Sequence, residues 1–253
     1  MPVSGLIDIH CHMIPYVDDG AVDLKEAVKM LKMEYDQGVR TIIVTPHHRK
    51  RMFETPMAEI KKQFRILREA AWEYDQDLRL YLGCEFHAET DMVPLLRSGQ
   101  VPTMAGSRYV LTEFSNRMDA FYIRERLYAL LSSGYKPVIA HVERYDIMRE
   151  NIGLVEELIS MGAMTQINAD SLIGKEGFGT KRFCRMLMKQ GAVHFVGSDS
   201  HGSRERVSRL GEAYVYAEKK FGRTCAEEIF IKNPRRILTD AKKRKHSSAV
   251  HRK

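Results

Sequence analysis

Asp8-Ile9-His10-Cys11-His12 near one end of the chain and Asp199-Ser200-His201 near the other each set two metal-ligand side chains two residues apart. In a β-strand, residues i and i+2 point to the same side, so each pair can aim two ligands at one point. Joining the pairs in one site requires a fold that brings its first and last strands together, which a barrel does. Imidazoles and carboxylates without thiolate suit borderline divalent ions such as manganese, iron or zinc better than calcium or magnesium.

Seven short runs rich in apolar and β-branched residues are the strands that would carry these ligands. They are Leu6 to His12, Thr41 to Thr45, Leu80 to Glu85, Tyr109 to Glu113, Pro137 to His141, Met164 to Asn168 and Val193 to Ser198. Amphipathic segments lie between them: Leu24 to Gln37, Pro56 to Tyr74, Ile123 to Ser133, Leu154 to Met161, Lys181 to Gln190 and Arg209 to Lys220. Several of these end at glycine, as helices often do. The alternation predicts an α/β fold with a parallel sheet and right-handed crossovers, closed or nearly closed into a barrel. One domain is expected over residues 1–240, followed by a basic, disordered tail over 241–253.

Ligand-type residues fall at matching ends of these strands. His10 and His12 end the first, His47 follows the second, Glu85 ends the third, Glu113 the fourth and His141 the fifth, while Asp199 and His201 follow the seventh. The sixth strand delivers none. In parallel α/β barrels, functional groups gather at the C-terminal ends of the strands. Eight ligands exceed what one ion needs, so two or three ions sharing a carboxylate are expected. Ions a few ångströms apart can acidify a water and clamp phosphoryl oxygens during in-line attack.

The composition narrows the chemistry further. The 253 residues are 44% hydrophobic and 29% charged, which suits a globular domain with a sizeable core. The formal charge is +7, but Lys242, Lys243, Arg244, Lys245, Arg252 and Lys253 carry six of those charges and leave the body at +1. No nucleic-acid partner is expected from a body so close to neutral. No apolar run reaches the roughly 18 residues of a membrane span, and no basic leader opens the chain, so a cytoplasmic location is the expectation. Cys11, Cys84, Cys184 and Cys225 form no C-x-x-C pair. Cysteine-dependent phosphatases need an arginine six positions after the thiolate; here those positions hold Val17, Thr90, Gln190 and Ile231. Phosphate chemistry in this chain therefore has to come from metals.

Taken together, Asp8-Ile9-His10-Cys11-His12, Asp18-Asp19-Gly20, Thr45-Pro46-His47, Gly83-Cys84-Glu85, Glu113-Phe114, Ala140-His141-Val142-Glu143-Arg144-Tyr145, Ser198-Asp199-Ser200-His201 and Asn233-Pro234 resemble the PHP (polymerase and histidinol phosphatase) superfamily. Within it the chain resembles the bacterial manganese-dependent protein-tyrosine phosphatases of capsule and exopolysaccharide operons, from about Leu6 to Thr239. The resemblance implies a distorted seven-stranded (β/α)7 PHP barrel with a trinuclear manganese site held by His10, His12, His47, Glu85, Glu113, His141, Asp199 and His201. It also implies a substrate, the phosphorylated tyrosine-rich tail of a bacterial tyrosine kinase, and hence control of polysaccharide assembly. Arg144 matches the family arginine that helps hold the phosphate. For the arginine after the last histidine, Arg204 and Arg206 both qualify, with Arg206 preferred.

Other assignments rest on chemistry. A guanidinium can grip two phosphate oxygens at once, although Arg144 could instead pair with Glu143 or Asp146. Asp18 is placed as an acceptor that orients a ligand histidine, although D-D-G is also ordinary turn chemistry. His47 or His201 could protonate the leaving group only where its ring is not fully committed to metal. Arg49, Lys50 and Arg51 read either as a basic rim or as an exposed loop, and His48 and His87 are not expected to be ligands. Ser115 stands where many relatives are expected to have proline. Two alternatives fit the same ligands: a small-molecule phosphatase of the histidinol-phosphate type, and a metal-dependent exonuclease.

Overall fold

Parallel strands covered on both faces need apolar residues on both sides, and the strands here alternate in that way. The computed structural model describes residues 4–250. Its strands are β1 (Leu6–Asp8), β2 (Val39–Val44), β3 (His47–His48), β4 (Arg79–Leu82), β5 (Glu85–His87), β6 (Tyr109–Glu113), β7 (Lys136–Ile139), β8 (Met164–Asn168) and β9 (Phe195–Gly197). All described pairs are parallel, in the orders β1-β2-β4 and β3-β5-β6-β7-β8-β9, a curled parallel-strand α/β arrangement.

The seven expected runs thus appear as nine segments. Pro46 has no N–H to give a ladder and parts β2 from β3. Gly83 parts β4 from β5 where a Cβ would crowd Ile43 and Thr45 at 3.1 and 3.2 Å. Hydrogen bonds still cross both breaks, from Gly83 N–H to the Val44 carbonyl and from Glu85 N–H to the Pro46 carbonyl. The first run is a strand only as far as Asp8; beyond it Cys11 N–H goes to the Thr45 hydroxyl and Cys11 meets Ser200 as a single parallel bridge.

Ile7, Ile43, Tyr109, Leu111, Val138 and Phe195 share one buried cluster; their alternates Leu6, Ile42, Val110, Ile139 and Val196 pack in another with the helices. The inner row turns polar as it climbs: Tyr109 and Leu111 lead to Glu113, and Met164 leads to Gln166 and Asn168. An apolar floor thus supports a polar mouth. The outer helices form where the pattern places them, including Leu24–Asp36, capped by the Asp23 carboxylate, and Leu210–Phe221.

The segment expected to be a disordered tail is helical as far as Val250, within Asn233–Val250; residues 251–253 lie outside the described residues. Contacts at the strand starts explain the difference. Ile237 and Ala241 enter the inner cluster, Asp240 receives both the backbone and the guanidinium of Arg108, and Arg244 donates to the Ser107 carbonyl at 3.0 Å. No described helix is long and apolar enough to cross a membrane.

Candidate metal centre

The first and last strands meet at the mouth. Asp199 N–H donates to the His10 carbonyl at 2.8 Å and His12 N–H to the Ser200 carbonyl at 2.9 Å. Asp8 locks this seam from below, accepting from the Ser198 hydroxyl at 2.6 Å, the Ser198 amide at 3.0 Å and the His10 amide at 3.2 Å. Two glycines permit the close approach. A Cβ on Gly197 would stand 2.7 Å from His10 Cβ, and one on Gly20 would stand 1.9 Å from the His12 carbonyl oxygen.

Three overlapping groups of ligand atoms converge here, each with its atoms within 4.8 Å of one another: His10, His12, Glu85 and Asp199; His12, Asp19, His47 and His201; and His47, Glu85 and Glu113. Glu85 is the hub. Its Oε2 lies 3.1 Å from His10 Nε2, 3.2 Å from His12 Nε2 and 3.1 Å from His47 Nδ1, while its Oε1 lies 2.8 Å from His141 Nε2. His141 Nε2 is also 3.9 Å from Glu113. Asp19 stands 3.5 Å from both His47 Nε2 and His201 Nε2. All eight residues expected from the sequence are therefore brought together, and Asp19 joins them.

Outer partners fix several of these rings. His12 Nδ1 lies 2.8 Å from Asp18, which also accepts from the Gly20 and His47 amides, so the ring presents Nε2. Gln166 Oε1 lies 3.1 Å from His10 Nδ1 and accepts from His141 N–H, while its amide donates to Asn168, which donates in turn to Asp199. His201 Nδ1 donates to the Asp199 carbonyl. The sixth strand, expected to deliver no ligand, instead contributes the two amides that orient three neighbours. His141 and Asp199 are held at φ 32° and 51°, a region non-glycine residues seldom adopt.

The electrostatics are those of a site built for cations. Burial opposes charge on Asp199, yet His10 and Arg144 hold its carboxyl far below the usual range. Glu85 follows suit: His10 and His47 overcome its burial and keep it ionised. Burial lowers His47 to about 4, with His12 assisting, so its ring is neutral. Burial together with the Glu85 charge pushes Glu113 up to about 7. Five buried atoms, His47 Nδ1, Glu85 Oε2, Glu113 Oε2, His141 Nδ1 and His201 Nε2, have no hydrogen-bond partner among the described residues. Each such atom costs about 1–3 kcal/mol, and their convergence with the carboxylates fits divalent ions. Burial raises the Cys11 and Cys84 thiols well above their ordinary values, which leaves them inert.

A cavity of about 800 Å³ opens beside the cluster, lined by Arg49, Glu113, Ser115, Arg117, His141, Arg144 and Arg206 among others. Arg144 pairs with Asp199 at 2.7 Å and Glu176 at 3.0 Å rather than with Glu143 or Asp146. Arg206, at φ 46°, turns back to Asp199 at 3.4 Å and Asp19 at 3.6 Å, whereas Arg204 is exposed and makes no ion pair among the described residues. His48 lies edge-on to Phe86, and His87 Nε2 lies 3.1 Å from the Ser115 hydroxyl; neither belongs to a ligand group.

Comparison with known proteins adds a family and relatives. The model of the capsular polysaccharide synthesis family CpsB/CapC matches residues 6–239. Tyrosine-protein phosphatase CpsB of Streptococcus pneumoniae is 40% identical over 240 residues, covering 93% of this chain and 99% of that protein. Tyrosine-protein phosphatase YwqE of Bacillus subtilis (strain 168) is 35% identical over 217 residues, covering 86% of this chain and 85% of that protein. A solved structure from the work on YwqE from Bacillus subtilis and CpsB from Streptococcus pneumoniae, described as unique metal-dependent tyrosine phosphatases, superposes with a TM-score of 0.82 at 33% identity. It covers 94% of this chain and 93% of its own.

Proposed function

Since the chain belongs to the CpsB/CapC family of capsular polysaccharide synthesis, we infer that it is a metal-dependent protein-tyrosine phosphatase. The observation that carries this reading is the convergence of histidine and carboxylate ligand atoms, four of them orphaned, beside an arginine-lined cavity. We read the strands as a distorted seven-stranded barrel in which β2 with β3, and β4 with β5, are single broken strands, and residues 6–250 as one domain.

His10, His12, Glu85 and Asp199 would hold one ion, Asp19, His47 and His201 a second, and Glu85, Glu113 and His141 a third; manganese is the metal we assign. When bound, such ions supply Lewis-acid stabilisation of phosphoryl oxygens and an acidified water. The chain's own residues do the rest. Arg144, anchored on Asp199 and Glu176, offers its guanidinium edge to the phosphate, and Arg206, which lines the same cavity, offers a second. His47 and His201 are poor donors to the leaving group. Burial lowers both, and both rings turn a nitrogen toward Asp19. Phenolate, with a pKa of about 10, departs with little help.

The substrate we assign is phosphotyrosine in the tyrosine-rich tail of a bacterial tyrosine kinase that governs capsule or exopolysaccharide synthesis, met in the cytoplasm. Phosphate release from a phosphotyrosine peptide, histidinol phosphate and single-stranded DNA, each with manganese, tests the reading. Turnover of the peptide at least about a hundredfold above the other two is expected. Preferential cleavage of either alternative would overturn it.

A further inference from the structure

Arg49 and Arg117 line the same cavity yet have no part in the reaction just described. Among the described residues neither makes an ion pair, whereas Arg144 and Arg206 are both engaged by site carboxylates and the adjacent Lys50 is tied to Asp91 at 2.7 Å. Neither guanidinium is thus tied up in a described ion pair, although Glu113 in the same lining feels the charge of Arg49.

The backbone holds both in place. Arg49 exchanges two hydrogen bonds with Phe53, at 2.9 and 2.8 Å, closing a tight turn, and the Phe53 ring stacks on His47 with centroids 4.9 Å apart. Arg117 sits in a turn closed by Met118 N–H on the Ser115 carbonyl, just before Asp119, which caps the helix Ala120–Ser132. The cavity, about 800 Å³, is in the size range of sites for drug-sized ligands and exceeds one phosphotyrosyl side chain. Apart from its basic C-terminal segment the chain is almost neutral, so two guanidinium groups outside any described ion pair at this opening are a local feature of the site.

We propose that Arg49 and Arg117 form a second anion subsite, which grips a negatively charged group flanking the phosphotyrosine on the same peptide. That group is a carboxylate or a second phosphate, since a guanidinium fork accepts either. The assignment rests on the phosphotyrosine reading above and gives the enzyme a preference for acidic or doubly phosphorylated segments.

The test uses the manganese-loaded full chain and three phosphotyrosine peptides that differ only at one flanking residue: alanine, glutamate or a second phosphotyrosine. The wild type should show a KM roughly tenfold lower for an anionic flank, with kcat within about twofold, and this advantage should shrink as salt rises. The double variant Arg49→Gln/Arg117→Gln should lose the preference while turning over the alanine-flanked peptide as the wild type does. A gain with both flanks identifies a general anion subsite, and a gain with the second phosphotyrosine alone narrows it to phosphate. Equal KM for all three peptides in the wild type, or a preference that survives in the double variant, overturns the subsite and leaves the phosphatase reading standing. Absence of turnover on every peptide removes both together.

Discussion

The two sides of the metal centre are built differently. On the seam between the first and last strands, His10, His12, Asp199 and His201 each have a protein partner that fixes their orientation: Gln166, Asp18, Asn168 and the Asp199 carbonyl. On the facing wall, His47, Glu85, Glu113 and His141 contribute four of the five orphaned atoms, and Glu113 rests near pH 7 between its charged and neutral forms. The seam is preorganised by hydrogen bonds whether or not a cation is bound. The wall is completed by charge that the polypeptide itself does not supply.

The largest expected effect comes from breaking the hub that joins the two sides. Glu85→Gln keeps the shape and removes the charge shared by four histidines. Phosphotyrosine turnover should fall on the order of 10³-fold, with loss of bound metal. Retention of both would show that the hub is not needed.

On the seam, Asp18→Asn leaves every ligand in place but weakens the acceptor that sets the His12 ring. Metal affinity should fall roughly 10- to 100-fold, read by titration of the metal-free protein, with little loss of fold. A drop in melting temperature as large as that of a core variant would mean that Asp18 is structural instead.

Gly20→Ala probes the closeness of the seam, because the added Cβ would overlap the His12 carbonyl. Destabilisation of about 1–3 kcal/mol is expected in denaturant unfolding, and an unchanged midpoint would mean the loop moves aside freely.

The smallest effect sharpens the wall. In the proposed site an ion binds the Glu113 carboxylate, whose pKa of about 7 lies above the ordinary value for glutamate. The metal-free protein therefore holds a proton there below pH 7 and must release it on binding. This carboxylate should raise affinity by up to about tenfold per unit as pH increases toward 7, a contribution that Glu113→Gln should remove while leaving that of His10 and His12, whose rings, despite burial, the neighbouring carboxylates hold above the ordinary imidazole value. A profile unchanged by that variant would place the titration elsewhere.

Much of this was legible in the sequence, for physical reasons that also explain what was not. His10, His12, His47, Glu85, Glu113, His141, Asp199 and His201 stood out because parallel strands deliver their C-terminal ends to one face, and the structure places seven of them in the convergent ligand groups and His141 against Glu85. Asp19 was missed because D-D-G is sufficient as turn chemistry, so nothing marked its second carboxylate. Gln166 and Asn168 were passed over because amides are not ligand types; their parity with Met164 on the inner row was the available signal. Pro46 and Gly83 were visible as breakers, yet the runs around them read as continuous. The helix through Ala241 was hidden by its own charge, since Lys242, Lys243, Arg244 and Lys245 resemble a solvated tail until Arg108 is seen to meet Asp240.

The central claim is that the histidine and carboxylate cluster acts by holding metal. It is tested most directly by stripping the protein with chelator, reloading it with manganese in steps, and measuring bound manganese and phosphotyrosine hydrolysis on the same samples. The account predicts no hydrolysis in the stripped protein, recovery that tracks occupancy up to two or three ions per chain, and neither binding nor recovery in Glu85→Gln. Full hydrolysis by protein shown to be metal-free would contradict it.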